Sequence, residues 1–242
     1  MLLEARRTCR ALADLGEFRP RDEAEAYAVQ DAVIEGLGLA VAGWKTGAPS
    51  PDADAGFAPI FEVTASPAVF AASSLRLFGI EAEIAFRLAL DLPPRDKPYE
   101  EAEIVAAIGS VHPAVELVES RFADFHSADP MAKLADNGSN GALILGPAIP
   151  DWQALDLARP PVTIRFDGVE AARTTGNTGG DPRRLLAALA DHLAHRRGGL
   201  HAGDVVTSGS CTGLVFARPG TTVAADFGAA GLIELTFPVE AS

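Results

Sequence analysis

Residues 78–90 read FGIEAEIAFRLAL. Phe78, Ile80, Ile84 and Phe86 alternate with their neighbours at the two-residue period of an extended strand, so one face of this segment is apolar. Glu81 and Glu83 lie two apart and therefore share the opposite face. Upstream, a helix is predicted from Asp22 to Leu37. Asp22 serves as N-cap, Glu25 stands in capping-box position, and Ala26, Val29, Val33 and Leu37 recur at helical spacing. A short strand over 39–46 then runs into the Gly/Pro-rich loop GAPSPDADAGFAP. Downstream, a proline-rich break at 91–98 leads to a short helix over 99–108, a buried strand over 114–118 and another over 141–146. Strands 162–166 and 169–172 flank Asp167-Gly168, the signature of a two-residue primed turn. The segment from Pro182 to Arg197 reads as a helix capped by Asp181 and closed by Gly198, with Leu185, Leu186, Leu189 and Leu193 on one face. Strands and glycine turns fill the remainder. Regular strand–helix–strand alternation is absent, so the pattern implies an α+β chain and disfavours a doubly wound parallel sheet.

Composition bounds the function. The chain has 242 residues, 48 % hydrophobic and 22 % charged, which suits a folded domain with a sizeable core. Its formal charge of −13 repels phosphate backbones, so nucleic acid is not an expected partner. Cys9 and Cys211 stand far apart with no metal-type spacing, giving neither a disulfide framework nor a zinc signature. The opening MLLEARRTCRALADLGEF lacks the unbroken apolar core of a signal peptide, and no run approaches the roughly 20 apolar residues of a membrane span. A cytoplasmic protein without membrane partners is expected.

Chemistry concentrates in a few polar residues. If the face bearing Glu81 and Glu83 lines a closed pocket, the carboxylates repel each other and lose hydration, and a divalent cation would relieve both; otherwise the pair is a solvated edge. Glu116 lies in the apolar run PAVELVE, where a carboxylate needs a partner: a metal, Arg121, or water. Glu119 is expected to face solvent. Three carboxylates on two strands would make an all-oxygen site suited to Mg²⁺ or Mn²⁺. Lys45, one of three lysines against seventeen arginines, sits in GWKTG, where it could lower its pKa, hold an oxyanion, or simply mark a strand end. Cys211 reads as a buried apolar filler. His192 and His195 are expected at the surface or an interface.

The ordered set of segments resembles the fumarylacetoacetate hydrolase superfamily, and most closely its 2-keto-4-pentenoate hydratase and 4-oxalocrotonate decarboxylase branch. The pieces are AYAVQ (26–30), GWKTGAPSP (43–51), FGIEAEIAF (78–86), HPAVELVESRFADF (112–125), LADNGSNGALILG (134–146), GDVVTSGSCTG (203–213) and PGTTVAADFGAAGLIELTF (219–237). The resemblance implies one catalytic unit over 1–242: a β-rich mixed-sheet roll with a helical portion, 1–40, packed on it. It puts Glu81, Glu83 and Glu116 on Mg²⁺ or Mn²⁺ and points Lys45 at the substrate. Asp136–Ser139 and the Ser208-Gly209-Ser210 turn would line the substrate pocket, with Ser139 and that turn as binding residues. A homo-oligomer, dimer or larger, is implied as well. Two departures stand out. The loop after GWKTGAPSP keeps only GFAPIF of a longer hydratase pattern, so its acid has no secure counterpart in Asp52 or Asp54. Ala188 stands where the long helix usually carries tryptophan.

The activity implied is hydration of 2-hydroxypenta-2,4-dienoate or a related 2-oxo acid in breakdown of aromatic compounds. The substrate carboxylate and 2-oxo oxygen would grip the cation, and Lys45 would carry a proton or balance developing charge. Decarboxylation of a 4-oxalocrotonate-like substrate is the alternative. C–C hydrolysis of acylpyruvates or fumarylpyruvate stands level with it, held back because that chemistry tends to use a histidine–glutamate pair and the first histidine here is His112. A non-catalytic binding subunit of the same fold is the last.

Overall fold

Helices α1 (Leu2–Thr8) and α2 (Glu23–Leu37) lead into strands β1 (Gly43–Gly47), β2 (Gly56–Ile60), β3 (Val63–Ala65) and β4 (Ala68–Val69) in the computed structural model of the chain, which describes residues 1–239. The last three positions of the expected 1–242 unit lie outside the described residues. The long strands β5 (Gly79–Leu88) and β6 (Ile108–Val118) bracket helix α3 (Glu101–Ala107), and α4 (Pro130–Ala135) precedes β7 (Asn140–Leu145). Then come β8 (Thr163–Phe166), β9 (Val169–Arg173), α5 (Pro182–Ala194), β10 (Val205–Ser210), β11 (Val215–Phe216), β12 (Thr222–Asp226) and β13 (Leu232–Thr236).

Among the described residues, one sheet runs β2-β1-β10-β5-β6-β7-β3, with β11 beside β5 as its eighth strand; a second runs β4-β13-β12-β8-β9. Only β1–β10, β3–β7 and β4–β13 pair in parallel. This is the α+β chain expected from the pattern, with the mixed sheets that the resemblance implies. One continuous core joins Ile80, Ile84 and Phe86 of β5 to Leu186, Leu189 and Leu193 of α5, to Ile233 and Leu235 of β13 in the second sheet, and to Phe237 just beyond it. Glu83 and Ala85, on the other face of β5, are buried too. A strand covered on both sides has no solvated edge, and that places the site.

The N-terminal helices close one end of the large sheet. Ala26 and Val33 of α2 pack with Ala132 and Ala135 of α4, and Gln30 Nε2 donates to the carbonyls of Phe57 (3.0 Å) and Leu134 (2.6 Å). Asp22 caps α2 as expected, accepting from Glu25 N at 2.9 Å, but the Glu25 carboxylate reaches Arg21 N rather than the cap N–H.

Several boundaries differ from the sequence reading, for physical reasons. GFAPI is strand β2, not loop: it is an edge strand, where Pro59 can lack a donor without breaking a ladder. The first strand begins at Gly43 rather than Leu39. Strand β6 starts at Ile108, six residues before the expected strand at Ala114, and runs through Pro113. The carbonyl of Pro113 faces Gly146 N beyond the end of β7, so the missing N–H leaves no ladder bond unmade. Helix α5 ends at Ala194, because Arg196, Arg197 and Gly199 all donate back to the Leu193 carbonyl and unwind the last turn. The hairpin at Asp167-Gly168 forms as read, with positive φ at both residues.

Candidate active site

Register alone delivers the polar side chains to one place. Glu81 of β5 stands directly opposite Glu116 of β6, and Glu83 pairs with Ser210 of β10. On the far side of β10, Lys45 of β1 is partnered with Thr207. Four adjacent strands, β1-β10-β5-β6, thus supply the cluster. One oxygen from each of Glu81, Glu83 and Glu116 lies within 4.8 Å of the others.

Each carboxylate is held differently. Glu116, fully buried, accepts through Oε1 from Lys45 Nζ at 2.6 Å and from Asn140 Nδ2 at 2.8 Å, while its Oε2 is buried with no hydrogen-bond partner. Glu83 Oε2 accepts from Thr207 Oγ1 and from Gly209 N at 3.0 Å. Glu81 is half-buried. Burial, then the charges of Glu116 and Glu81, push the Glu83 carboxyl well above the usual carboxylate range; burial and Glu116 push Glu81 up as well. For Lys45, burial pulls the pKa down, but Glu116, Glu81 and Glu83 outweigh it and the net shift is upward. With no cation among the carboxylates, these charges favour the protonated form of Lys45, against the expectation of a lowered pKa. At this separation each pair of bare carboxylates repels by roughly 3–4 kcal/mol at an effective dielectric of about 20, and one ammonium against three carboxylates leaves the cluster with excess negative charge. An anionic, all-oxygen pocket with an uncapped buried oxygen fits a hard dication such as Mg²⁺ or Mn²⁺.

A strained turn presses Lys45 into place. Asn137, Gly138 and Ser139 all take left-handed backbone angles, with φ of 54°, 57° and 58°. Only glycine adopts this freely, and each L-residue costs about 1–2 kcal/mol there. Arg121 holds the strain: its N–H and Nε donate to the two Asp136 carboxylate oxygens (2.9 and 2.5 Å), its Nη1 to Asn140 O and its Nη2 to Asp136 O. Arg6 adds a second guanidinium on Asp136 at 3.4 Å. In return Gly138 O accepts from Lys45 Nζ at 3.0 Å.

Other expectations resolve individually. Ser139 Oγ is buried without a hydrogen-bond partner, and the Ser210 hydroxyl faces the Glu81 carboxylate, offsetting part of its upward shift. The Ser208 hydroxyl donates to Ile84 O at 2.7 Å, and Gly209 turns its N–H on Glu83. Arg121 does not meet Glu116; it belongs to Asp136. Glu119 is not solvent-facing but 9 % exposed, accepting from the backbone N–H of Arg76, Leu77 and Ser120. His192 is half-buried: it packs between Tyr27 and Phe57, and burial lowers its pKa to about 4. His195 is exposed, as are Asp52 and Asp54. Cys211 is buried, with its pKa raised by burial. The sequence reading missed Thr207, Asn140 and Asn177. The first two sit inside quoted segments, TSGS and DNGSN; Asn177 carried no local signal.

Residues 45–240 match the family described as fumarylacetoacetate (FAA) hydrolase C-terminal. The chain belongs to that family. It is 30 % identical to a 2-keto-4-pentenoate hydratase of Burkholderia vietnamiensis over 98 % of this chain and 94 % of the relative. It is 32 % identical to a 2-hydroxyhexa-2,4-dienoate hydratase of Comamonas testosteroni, over 90 % and 88 % respectively. Among solved structures, the 4-oxalocrotonate decarboxylase of Pseudomonas putida G7, complexed with magnesium and adipate, superposes with a TM-score of 0.84 at 26 % identity, covering 98 % of this chain and 94 % of that one. The match to the fumarylacetoacetate hydrolase family spans every strand of the acidic cluster, from Lys45 through Ser210.

Proposed function

We propose that this chain is a divalent-metal-dependent hydro-lyase that adds water to 2-hydroxypenta-2,4-dienoate or a related 2-oxo acid in aromatic catabolism, giving a 4-hydroxy-2-oxo acid. The observation that carries the reading is the converging triad of half-buried Glu81 with buried Glu83 and Glu116, the last with its uncapped Oε2, in a chain related nearly end to end to hydratases. The three glutamates would hold Mg²⁺ or Mn²⁺. When bound, such a cation supplies positive charge against the negative charge that develops on a 2-oxo acid. Lys45 keeps its proton at Nζ beside Glu116 and offers it to substrate seated against the carboxylates. Ser139 and Ser210 contribute hydroxyls, that of Ser210 beside the Glu81 carboxylate, and Ser208 and Gly209 form the wall behind them. We extend the proposal to a single catalytic unit over 1–242, acting in the cytoplasm as a homo-oligomer, dimer or larger.

Decarboxylation of a 4-oxalocrotonate-type acid is the second reading, favoured by the likeness to the P. putida decarboxylase over 98 % of this chain. One experiment separates the two. Purified protein with Mg²⁺ or Mn²⁺ is given each substrate, and the ultraviolet band of the conjugated acid is followed alongside CO₂ release. Band loss without CO₂, stopped by EDTA, is the hydratase result; stoichiometric CO₂ assigns the decarboxylase. An unchanged band with both substrates, while metal still binds, would make the chain a binding subunit.

A further inference from the structure

Gly209 owes its orientation to a segment far away in sequence. Between Thr207 and Ser210 the β10–β5 register shifts, and Gly209 takes φ +88°, a conformation in which its N–H points at Glu83 Oε2. A side chain there would meet Asn177 Oδ1 at 3.4 Å and Gly47 Cα at 3.6 Å. The loop before α5 is lashed along this bulge: Thr175 N donates to Cys211 O (2.8 Å) and Thr178 N to Ser210 O (3.3 Å). At its centre Asn177, 7 % exposed, donates through Nδ2 to both Ser208 O (2.6 Å) and Gly209 O (3.2 Å). Its Oδ1 accepts from Gly179 N at 2.9 Å, and its own N–H donates to Ala158 O at 2.7 Å. Two carbonyls on one side and an N–H on the other fix which way the amide faces.

We infer that Asn177 is a positioning residue for the acidic centre: by clasping the carbonyls of the two peptides that flank the Gly209 Cα, the first of which carries the Gly209 N–H, it keeps that N–H on Glu83 Oε2 and leaves the other Glu83 oxygen turned toward the site. The amide is the side chain suited to this task. It supplies two donors to the bulge and one acceptor to its own loop, so that no buried polar atom is left over. An aspartate of the same shape keeps the acceptor but faces two carbonyls with no donor. The inference rests on the proposed metal role of Glu83, and groups that orient a metal ligand typically contribute ten- to a hundredfold in affinity.

The test is calorimetric titration of Mn²⁺ into metal-free wild type, Asn177→Asp and Asn177→Ala, with thermal melting of each and amide hydrogen exchange at Gly209 in the metal-free proteins. Mn²⁺ affinity should fall about ten- to a hundredfold in both variants that retain a cooperative melt, and Gly209 should lose exchange protection. Equal Mn²⁺ affinity, or Gly209 protection unchanged in the variants, would overturn the inference while leaving the functional reading intact. No Mn²⁺ uptake by the wild type would instead remove the functional reading. If neither variant folds, exchange of the Asn177 carboxamide protons in the wild type decides: the clasp requires them to be slow, and exchange at the rate of a solvent-exposed amide contradicts it.

Discussion

Two buried clusters of charge meet across the 136–140 turn, and they are built in opposite ways. Asp136 lies between two guanidiniums. Its Oδ1 takes Arg121 Nε and Arg6 Nη2, its Oδ2 takes the Arg121 N–H, and its carbonyl accepts from both arginines as well. Cations are in excess there, enough that burial and the neighbouring Arg121 push Arg6 down to about 9. Around Lys45 the imbalance is reversed: three carboxylates share one ammonium, and Glu116 Oε2 has no donor. Burial removes water from both clusters, so both would be costly if left unpaired. The first satisfies its acid completely and serves as a brace for the turn. The second leaves an acid unsatisfied at the point where four strands converge, and that unbalanced charge is what the proposed cation would neutralise.

That contrast can be broken experimentally, and the largest effect should come from the brace. Asp136→Asn leaves two buried guanidiniums without their counter-ion and should cost about 3–5 kcal/mol of stability, read by chemical denaturation of the metal-free protein. A loss under about 1 kcal/mol would mean that the arginines are solvated and the brace is idle. Glu83→Gln should do the reverse to the metal-free protein, raising its melting temperature by removing a repelling charge while lowering Mn²⁺ affinity by about a hundredfold or more. Destabilisation of the metal-free variant would make Glu83 a structural group. Lys45→Met should reduce turnover far more than it reduces metal affinity, and an unchanged rate would take Lys45 out of the chemistry.

The smallest effect is a pH trend. Folded Glu83 and Glu81 have carboxyl pKa values above the ordinary 4.5, so in the metal-free protein the native state binds more protons than the unfolded chain as pH rises past that value. Stability from this source is present in acid and declines through the window from about pH 4.5 up to the folded pKa. Metal binding needs both carboxylates ionised, so saturating Mg²⁺ should flatten or invert the slope. Melting curves at stepped pH, with EDTA and with Mg²⁺, provide the check; a metal-free protein that gains stability across the window would contradict the repulsion.

Much of this was legible before any coordinates, and what was hidden has a common cause. The two-residue period of 78–86 exposes Glu81 and Glu83 as same-face neighbours, and Glu116 is conspicuous as a carboxylate inside an apolar run. Their convergence was not legible, because it depends on strand register between segments 35 residues apart, Glu81 and Glu116. Pro59 fell inside the loop reading and the strand reading began only after Pro113; Pro59 is tolerated on an edge strand and Pro113 opposite Gly146, beyond the end of β7. Glu119 looked solvated because its three donors include the backbone of residues 76 and 77, and His192 looked exposed because Tyr27 and Phe57 come from α2 and β2. Local periodicity reports which face a residue takes. It does not report what the rest of the chain lays against that face.

The most direct measurement is a crystal soaked in Mn²⁺, with anomalous scattering recorded at a wavelength that identifies the ion. The account predicts one peak per chain about 2.1 Å from oxygens of Glu81, Glu83 and Glu116, with Glu116 Oε2 among them. Manganese bound elsewhere, with the three glutamates still joined only to Lys45, Asn140 and the β10 bulge, would contradict it.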